Sequence, residues 1–314
     1  NLKPSIHSDS STEGGMSAED IDSIRFRAPR TLASQNRAVV AEDYEALIRG
    51  IYPAIDDIHV YGGEELEIPQ YGRVFIAIKP TSGDSLSSFS KNFISKSLDK
   101  YRIASIDINI VDPEVIYVEC VTTAYYDNKA TGKDGSSIAA QIKDVLAGYE
   151  ETYNISRFGG AIRYSRIVAA IDAADTAINR NNTNLRMRRD LPASIGTAAS
   201  YELCYENSFK IDRENPVVYS TGFQLLLDGV NDNRTYYFED DTKGNLNLFY
   251  FNQTGIKVIT NTNFGTVDYI KGEILIGYDT SVTFVNTSVS GNIIEVRAWP
   301  ESQDVIAKRS VSVN

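Results

Sequence analysis

Residues 37 to 63 read RAVVAEDYEALIRGIYPAIDDIHVYGG, and this stretch decides the fold of the first part of the chain. Tyr44, Leu47, Ile48 and Ile51 recur at i, i+3, i+4 and i+7, which lays four apolar side chains along one stripe of a helix. Glu42, Asp43 and Glu45 fall in its first turn and Arg49 in its last, the charge order that the unpaired backbone groups at helix ends favour. Pro53 cannot continue a helix. Beyond it, Ile58 and Val60 alternate with His59 and Tyr61 as in a half-buried strand, and Gly62-Gly63 closes the segment.

Outward from this helix and strand, Val74, Ile76 and Ile78 mark a second strand. A second helix is expected to carry the stripe Leu86, Phe89, Ser90, Phe93, Ile94, Ser97, Leu98 and Tyr101, and Ile106, Ile108 and Ile110 mark a third strand. The order helix, strand, strand, helix, strand predicts a small sheet with two helices on one face, over residues 37–113. A second α/β unit is expected over 114–195. It has a long strand from Val115 to Tyr126, a helix with Ile138, Ile142, Val145, Leu146 and Tyr149, and another with Tyr164, Ile167, Val168 and Ile171. Its last strand sets Leu185 and Met187 on one face and Arg186 and Arg188 on the other, where the arginines are expected to be solvated.

From 196 to 314 the composition shifts to Val, Tyr, Phe and Thr runs separated by Asn/Asp/Gly turns, which predicts an all-β sandwich- or barrel-like domain. Residues 1–36, polar and Ser/Gly-rich at the start and made locally basic by Arg25, Arg27, Arg30 and the following Arg37, read as an N-terminal connecting arm, with a short helix after the capping-box spacing of Ser17 and Asp20. The fold class is therefore α+β: two small mixed α/β units followed by an all-β domain.

The run from Arg25 to Pro80, above all Arg37-Ala38-Val39-Val40-Ala41-Glu42-Asp43-Tyr44-Glu45, resembles the baseplate J-like family of contractile-tail phages. Within it, the similarity is to the C-terminal half of the large baseplate wedge subunits of T4-like bacteriophages. It continues through Asp112-Pro113 to about Pro192. Members of that family commonly carry a hydroxyl residue at the position of Val40, so the side-chain cap of the helix is expected to be missing here, a loss of about 1 kcal/mol. The motif is structural and carries no catalytic residue. It implies a virion protein of the tail baseplate, assembled in the host cytoplasm, with other baseplate wedge proteins and copies of itself as partners.

Composition narrows the alternatives. The 314 residues carry a net charge of −11, which disfavours non-specific contact with nucleic-acid phosphates. No run approaches the roughly 18 apolar residues of a membrane span, and there is no signal-peptide pattern, so a soluble chain without membrane insertion is expected. Asn1 stands where an initiator Met would, as expected of a fragment or processed product. Cys120 and Cys204 are too few for a disulfide framework or a four-thiolate zinc site, and fit a reducing interior.

Catalytic, metal and cofactor residues are expected to be absent. His7 and His59 are the only histidines, too few for a multi-histidine metal site. Around Gly132-Lys133, Asp127 and Asp134 occupy the positions where a phosphate-binding loop needs Gly and Ser or Thr. Asp56-Asp57, Glu64-Glu65 and Glu239-Asp240-Asp241 are adjacent acids that point to opposite sides of a strand or solvate a turn, unlike a glycosidase pair. Asp228 to Asn233 resembles a calcium loop but has Val230 at a ligand position and no closing Glu.

A structural, non-enzymatic wedge subunit is the leading expectation. A receptor- or glycan-binding tail module, resting on Tyr and Asn in the C-terminal strands, is the alternative, and a tail-associated hydrolase the third. In the strand Leu246 to Phe251 both faces are apolar, Leu246, Leu248 and Tyr250 on one and Phe249 and Phe251 on the other. Tyr237, Phe249 and Phe251 are therefore expected to form part of a symmetric contact between copies, because large rigid rings bury much area at little rotational cost.

Overall fold

The computed structural model describes residues 37–307 except 67, 84, 104, 154, 228–229 and 278–280, together with 311–313 and positions 21, 24, 25 and 29. The connecting arm expected over 1–36, with its capping-box helix, and Asp228-Gly229 of the calcium-like turn thus fall almost wholly outside the described residues. The chain forms two compact units, Asn1–Asp112 and Pro113–Asn314.

In the first unit, α1 (Ala41–Ile51) buries Tyr44, Leu47 and Ile48, the stripe its spacing predicts. Val40 gives the helix no side-chain cap. The Asp43 carboxylate compensates by accepting from the backbone N–H groups of Val39 at 3.0 Å and Val40 at 3.2 Å, one half of a capping box. Strand β1 (Ile55–Gly62) pairs antiparallel with β2 (Arg73–Pro80), which pairs in parallel with β3 (Asp107–Val111). α2 (Ser88–Leu98) joins β2 to β3 and buries Ile94 and Leu98 against Ile58, Ile76 and Ile78. The expected stripe of this helix is too wide: Phe89 and Phe93 are 71% and 49% exposed. Two buried positions a turn apart suffice to seat an eleven-residue helix on a three-stranded sheet.

The second unit is organised on one large sheet. β4 (Glu114–Tyr126) pairs antiparallel with β6 (Ile178–Pro192) over most of their lengths. Between them in sequence lie α3 (Gly135–Tyr153), the short β5 (Ala161–Ile162) and α4 (Tyr164–Ala173). Both helices join the core that Leu185 and Met187 of β6 enter. The other edge of β6 pairs with β15 (Ile293–Ala298). From there the sheet runs through β8 (Val218–Ser220), β10 (Val230–Asp240), β11 (Asn245–Phe251), β12 (Lys257–Asp268), β13 (Glu273–Ile276) and β7 (Tyr201–Cys204). β9 (Phe223–Leu227) and β14 (Phe284–Thr287) branch from β10, and β17 (Val311–Val313) lies parallel to β4. The result is α+β, with helices on the β4–β6 end and a half-barrel beyond.

Long-range polar contacts fix this curl. Asp240, 1% exposed, accepts from Val217 N at 2.6 Å, Val218 N at 2.7 Å, Thr242 N at 3.2 Å and the Tyr269 hydroxyl at 2.6 Å. Four donors offset the cost of a buried carboxylate and tie β8 and the turn after β10 together. Asp304, next to β16 (Val305–Ile306), accepts from Tyr164 N at 2.8 Å and so caps α4 from 140 residues away. At Gly272, with φ of +71°, a Cβ would stand 2.1 Å from the Asn207 carbonyl oxygen, so the β12–β13 turn needs glycine.

Candidate functional site

Strand alternation sorts the residues of the large sheet into two faces. Val296, Val218, Tyr236, Phe238, Leu246 and Leu248 point into the core. The opposite, outer face follows from cross-strand register. Tyr117 of β4 stands opposite Arg188 of β6, Arg188 opposite Arg297 of β15, Arg297 opposite Tyr219 of β8, and Tyr219 opposite Glu239 of β10. Tyr237 stands opposite Phe249 of β11, and Phe249 opposite Ile259 of β12. One face therefore crosses seven neighbouring strands.

Its two halves differ in chemistry. On β4, β6 and β15 it is a lattice of ions: Glu119, Arg186, Arg188, Asp190, Glu295 and Arg297, each 18–24% exposed at the side chain. Glu119 is the hub. It bonds Arg186 and accepts from Arg297 Nε at 3.1 Å, with Arg188 at 3.6 Å. Glu295 accepts from Arg297 at 2.7 Å and lies 3.4 Å from Arg188. Arg188 Nε and Asp190 Oδ1 are in ionic contact at 3.0 Å without hydrogen-bond alignment. Three positive and three negative groups leave the lattice neutral. The guanidinium planes also meet rings, Arg188 over Tyr117 at 4.2 Å and Arg186 over Tyr219 at 5.6 Å.

The lattice moves its own titrations. Burial works to raise Glu119, but the hydrogen bonds from Arg297 and Arg186 prevail and hold it below the ordinary carboxylate range. Asp190 goes the other way: burial raises it, and Arg188 does not make up the difference.

On β10, β11 and β12 the same face is aromatic. Tyr237 stacks on Phe249 with ring centres 5.7 Å apart, and Phe251 meets Tyr237 at 5.7 Å and Phe249 at 5.5 Å, both edge-on. Lys257 Nζ sits 4.3 Å from the Phe249 ring centre and pairs with Glu239. Phe249 is 7% exposed beneath these neighbours, whereas Phe251 and Ile259 are 53% and 49% exposed. Tyr237 also packs on the bare backbone of Gly222, where a Cβ would come within 2.5 Å of Thr235 and 3.2 Å of Tyr237.

The three residues expected from the sequence to form a contact thus lie in one cluster, with Phe249 as its floor. The sequence predicts solvated arginines in the ionic half, whereas the folded sheet covers most of each side chain and pairs it with an acid. Asp190 stands two residues from Arg188 on β6, but Glu119 and Glu295 come from β4 and β15, 67 and about 110 residues away from Arg186 in sequence, and no local signal joins those two to the arginines. The alternation of Glu119 and Glu295 with apolar neighbours was the only trace.

The acids and histidine weighed for chemistry serve the fold. Asp134 accepts from Ser136 and Ser137 at the start of α3, which lowers it to about 2. Lys133 pairs with Asp175 at 2.8 Å. Of the adjacent acids, Glu239 faces outward to Lys257 and Asp240 inward. Asp232 bonds Arg234 and the Tyr236 hydroxyl. His59 stacks on Tyr61 at 5.3 Å. Among the described residues, no three His, Cys, Asp or Glu side chains are grouped to hold a metal ion, and no helix is long and apolar enough to cross a membrane.

Comparison with known proteins bears on the helical part. Residues 40–111 match the family model described as baseplate structural protein gp6, C-terminal domain I, and residues 114–190 match C-terminal domain III of the same protein. The baseplate wedge protein gp6 of Enterobacteria phage T4 is 24% identical over 180 residues, 57% of this chain. The chain spans about a quarter of that relative's length, the match covering 26% of it.

Proposed function

We propose, for a chain whose residues 40–190 belong to the gp6 family of baseplate structural proteins, a structural role in which copies associate through the outer face of the large sheet and hold wedges together. A baseplate wedge protein is a virion component of a contractile phage tail. What is proposed beyond this is self-association, contact with other wedge proteins, and persistence of those contacts during assembly and contraction.

The observation that carries the reading is the aromatic cluster of Tyr237, Phe249 and Phe251. Phe251 and Ile259 are half exposed beside each other on a sheet face, an arrangement that gains by being covered. Of the acids considered as catalytic groups, Asp57, Glu65, Glu239, Asp240 and Asp241 are engaged in an ion pair, a turn or a buried hydrogen-bond cluster, which supports a structural role over a hydrolytic one.

Two measurements test it. Tails purified from infected cells should contain this polypeptide in the baseplate, and tails lacking it would remove the proposal. Sedimentation equilibrium should show a dimer or larger species for the wild type and a shift of at least tenfold toward monomer for Phe251→Ser. Saturable, sugar-competed binding to host cells together with a monomer at every concentration would favour a receptor-binding role instead.

A further inference from the structure

We infer that the outer face pairs with a second copy in a crossed manner, the aromatic half of one copy covering the ionic half of its mate. This rests on the self-association proposed above and deepens it. Three features of the face lead there.

The first is area. The aromatic half spans three strands, about 10 Å at the ~4.8 Å strand spacing, whereas the seven-strand face from β4 to β12 spans about 29 Å. A stable contact needs ~800 Å² from each partner. The aromatic half alone falls far short, and only the whole face approaches that size.

The second is symmetry. Two sheets stacked face to face are related by a two-fold axis lying in the plane of the contact. With that axis along β8, the central strand of the seven, β10 lies over β15, β11 over β6, and β12 over β4 of the mate. Glu239 then meets the strand that carries Arg297, and Tyr219 meets its own copy. With the axis across the strands, like would meet like, and the two ionic lattices would be pressed together.

The third is chemistry. Guanidinium groups whose edges are held by carboxylates still offer flat faces, and aromatic rings cover such faces well. The molecule already uses that pairing at Arg188 with Tyr117 and Arg186 with Tyr219. Because the lattice is neutral and internally paired, covering it with rings leaves no carboxylate or guanidinium without a partner. With either axis both lattices, twelve charges in all, leave water; only the crossed packing sets rings over the guanidinium faces, whereas lattice on lattice adds contacts to groups that are already paired.

Mixing tests the crossed arrangement. One variant, Phe251→Asp with Ile259→Asp, disables the aromatic half. The other, Val121→Asp, changes an apolar side chain 45% exposed on the β4 part of the same face and removes no ion pair; Arg186→Gln serves as a second variant of that half. Thermal melts establish that each is folded, and sedimentation reads the association. Each variant alone is expected to associate at least tenfold more weakly than wild type. An equal mixture is expected to form heterodimers tighter than either variant by itself, because one of the two crossed contacts is intact in the mixed pair. Mixtures no tighter than the stronger variant alone would overturn the crossed arrangement. A wild-type dimer unaffected by any of these changes would place the contact elsewhere and leave self-association standing. A wild type that stays monomeric at every concentration would remove the underlying proposal as well.

Discussion

The two halves of the outer sheet face answer the same problem in different ways. On β4, β6 and β15 the outward residues satisfy one another: three arginines and three acids, each about one-fifth exposed, complete their pairings within the chain. On β10, β11 and β12 the outward residues bury only part of themselves, with Phe249 covered and Phe251 and Ile259 half exposed. Charges can be matched across strands of one molecule because ionic contact needs only a partner at the right register. Apolar area can be reduced only by covering it, and a single sheet face has nothing further to cover it with. The ionic half is therefore self-sufficient, and the aromatic half is where association gains free energy.

Substitutions separate the two. The largest effect is expected at Phe249, the floor of the aromatic cluster. Phe249→Ala should cost about 3 kcal/mol of stability, the usual scale for removing a covered ring, read as a shift in the urea midpoint. An unchanged midpoint would mean that the cluster contributes nothing to the folded chain. Glu119→Gln comes next, with a loss of about 2 kcal/mol, less than the ~3–5 kcal/mol of breaking a fully buried pair because the site is partly wet. If the arginines re-pair with Glu295 and Asp190, the loss will be near zero and the hub role is refuted.

Asp190→Asn should do little at neutral pH, between no change and a gain of about 1 kcal/mol, because ionised Asp190 is held there against burial. The pH dependence has a defined sign. Glu119, lowered from 4.5, contributes stability above that value and loses it as pH falls through its folded-state value. Asp190, raised from 3.8, contributes stability below that value and loses it as pH rises through its folded-state value. Acidification therefore removes one contribution and adds the other in wild type. In Asp190→Asn only the loss remains, so its stability should fall more steeply on acidification through the carboxylate range. Parallel curves would show that Asp190 is not coupled to the lattice. The smallest effect on the isolated chain is expected from Phe251→Ser, within about 1 kcal/mol because the ring is half exposed.

The contrast also explains what could be read from the sequence. The stripe of Tyr44, Leu47 and Ile48 is local, and a helix displays local spacing directly; the burial of α1 follows it. The cap was legible only in part: Val40 does offer no side-chain acceptor, but Asp43 three residues on supplies the backward bond. Phe89 and Phe93 show where spacing misleads, since only six of the eight expected positions fall on α2, and even these are more than three strands can cover. For β11, a run apolar on both faces located the aromatic cluster, because in-and-out alternation is also local. The lattice was not legible. Glu119 meets Arg186 and Arg297 across strands from three distant segments, and the register that aligns them belongs to the folded sheet. Asp240 stands beside Glu239 and Asp241 in sequence like a surface acid, and only the curl of the sheet brings four donors to it.

The claim that the aromatic half is a contact and the ionic half a finished internal structure is tested most directly by the mass of the chain in solution across concentration. Wild type and Phe251→Ser would be measured side by side, with melts of both. Expected are a self-associating wild type, a variant shifted at least tenfold toward monomer, and closely similar melts of the monomeric species. Equal association of the two proteins, or a monomeric wild type throughout, would contradict it.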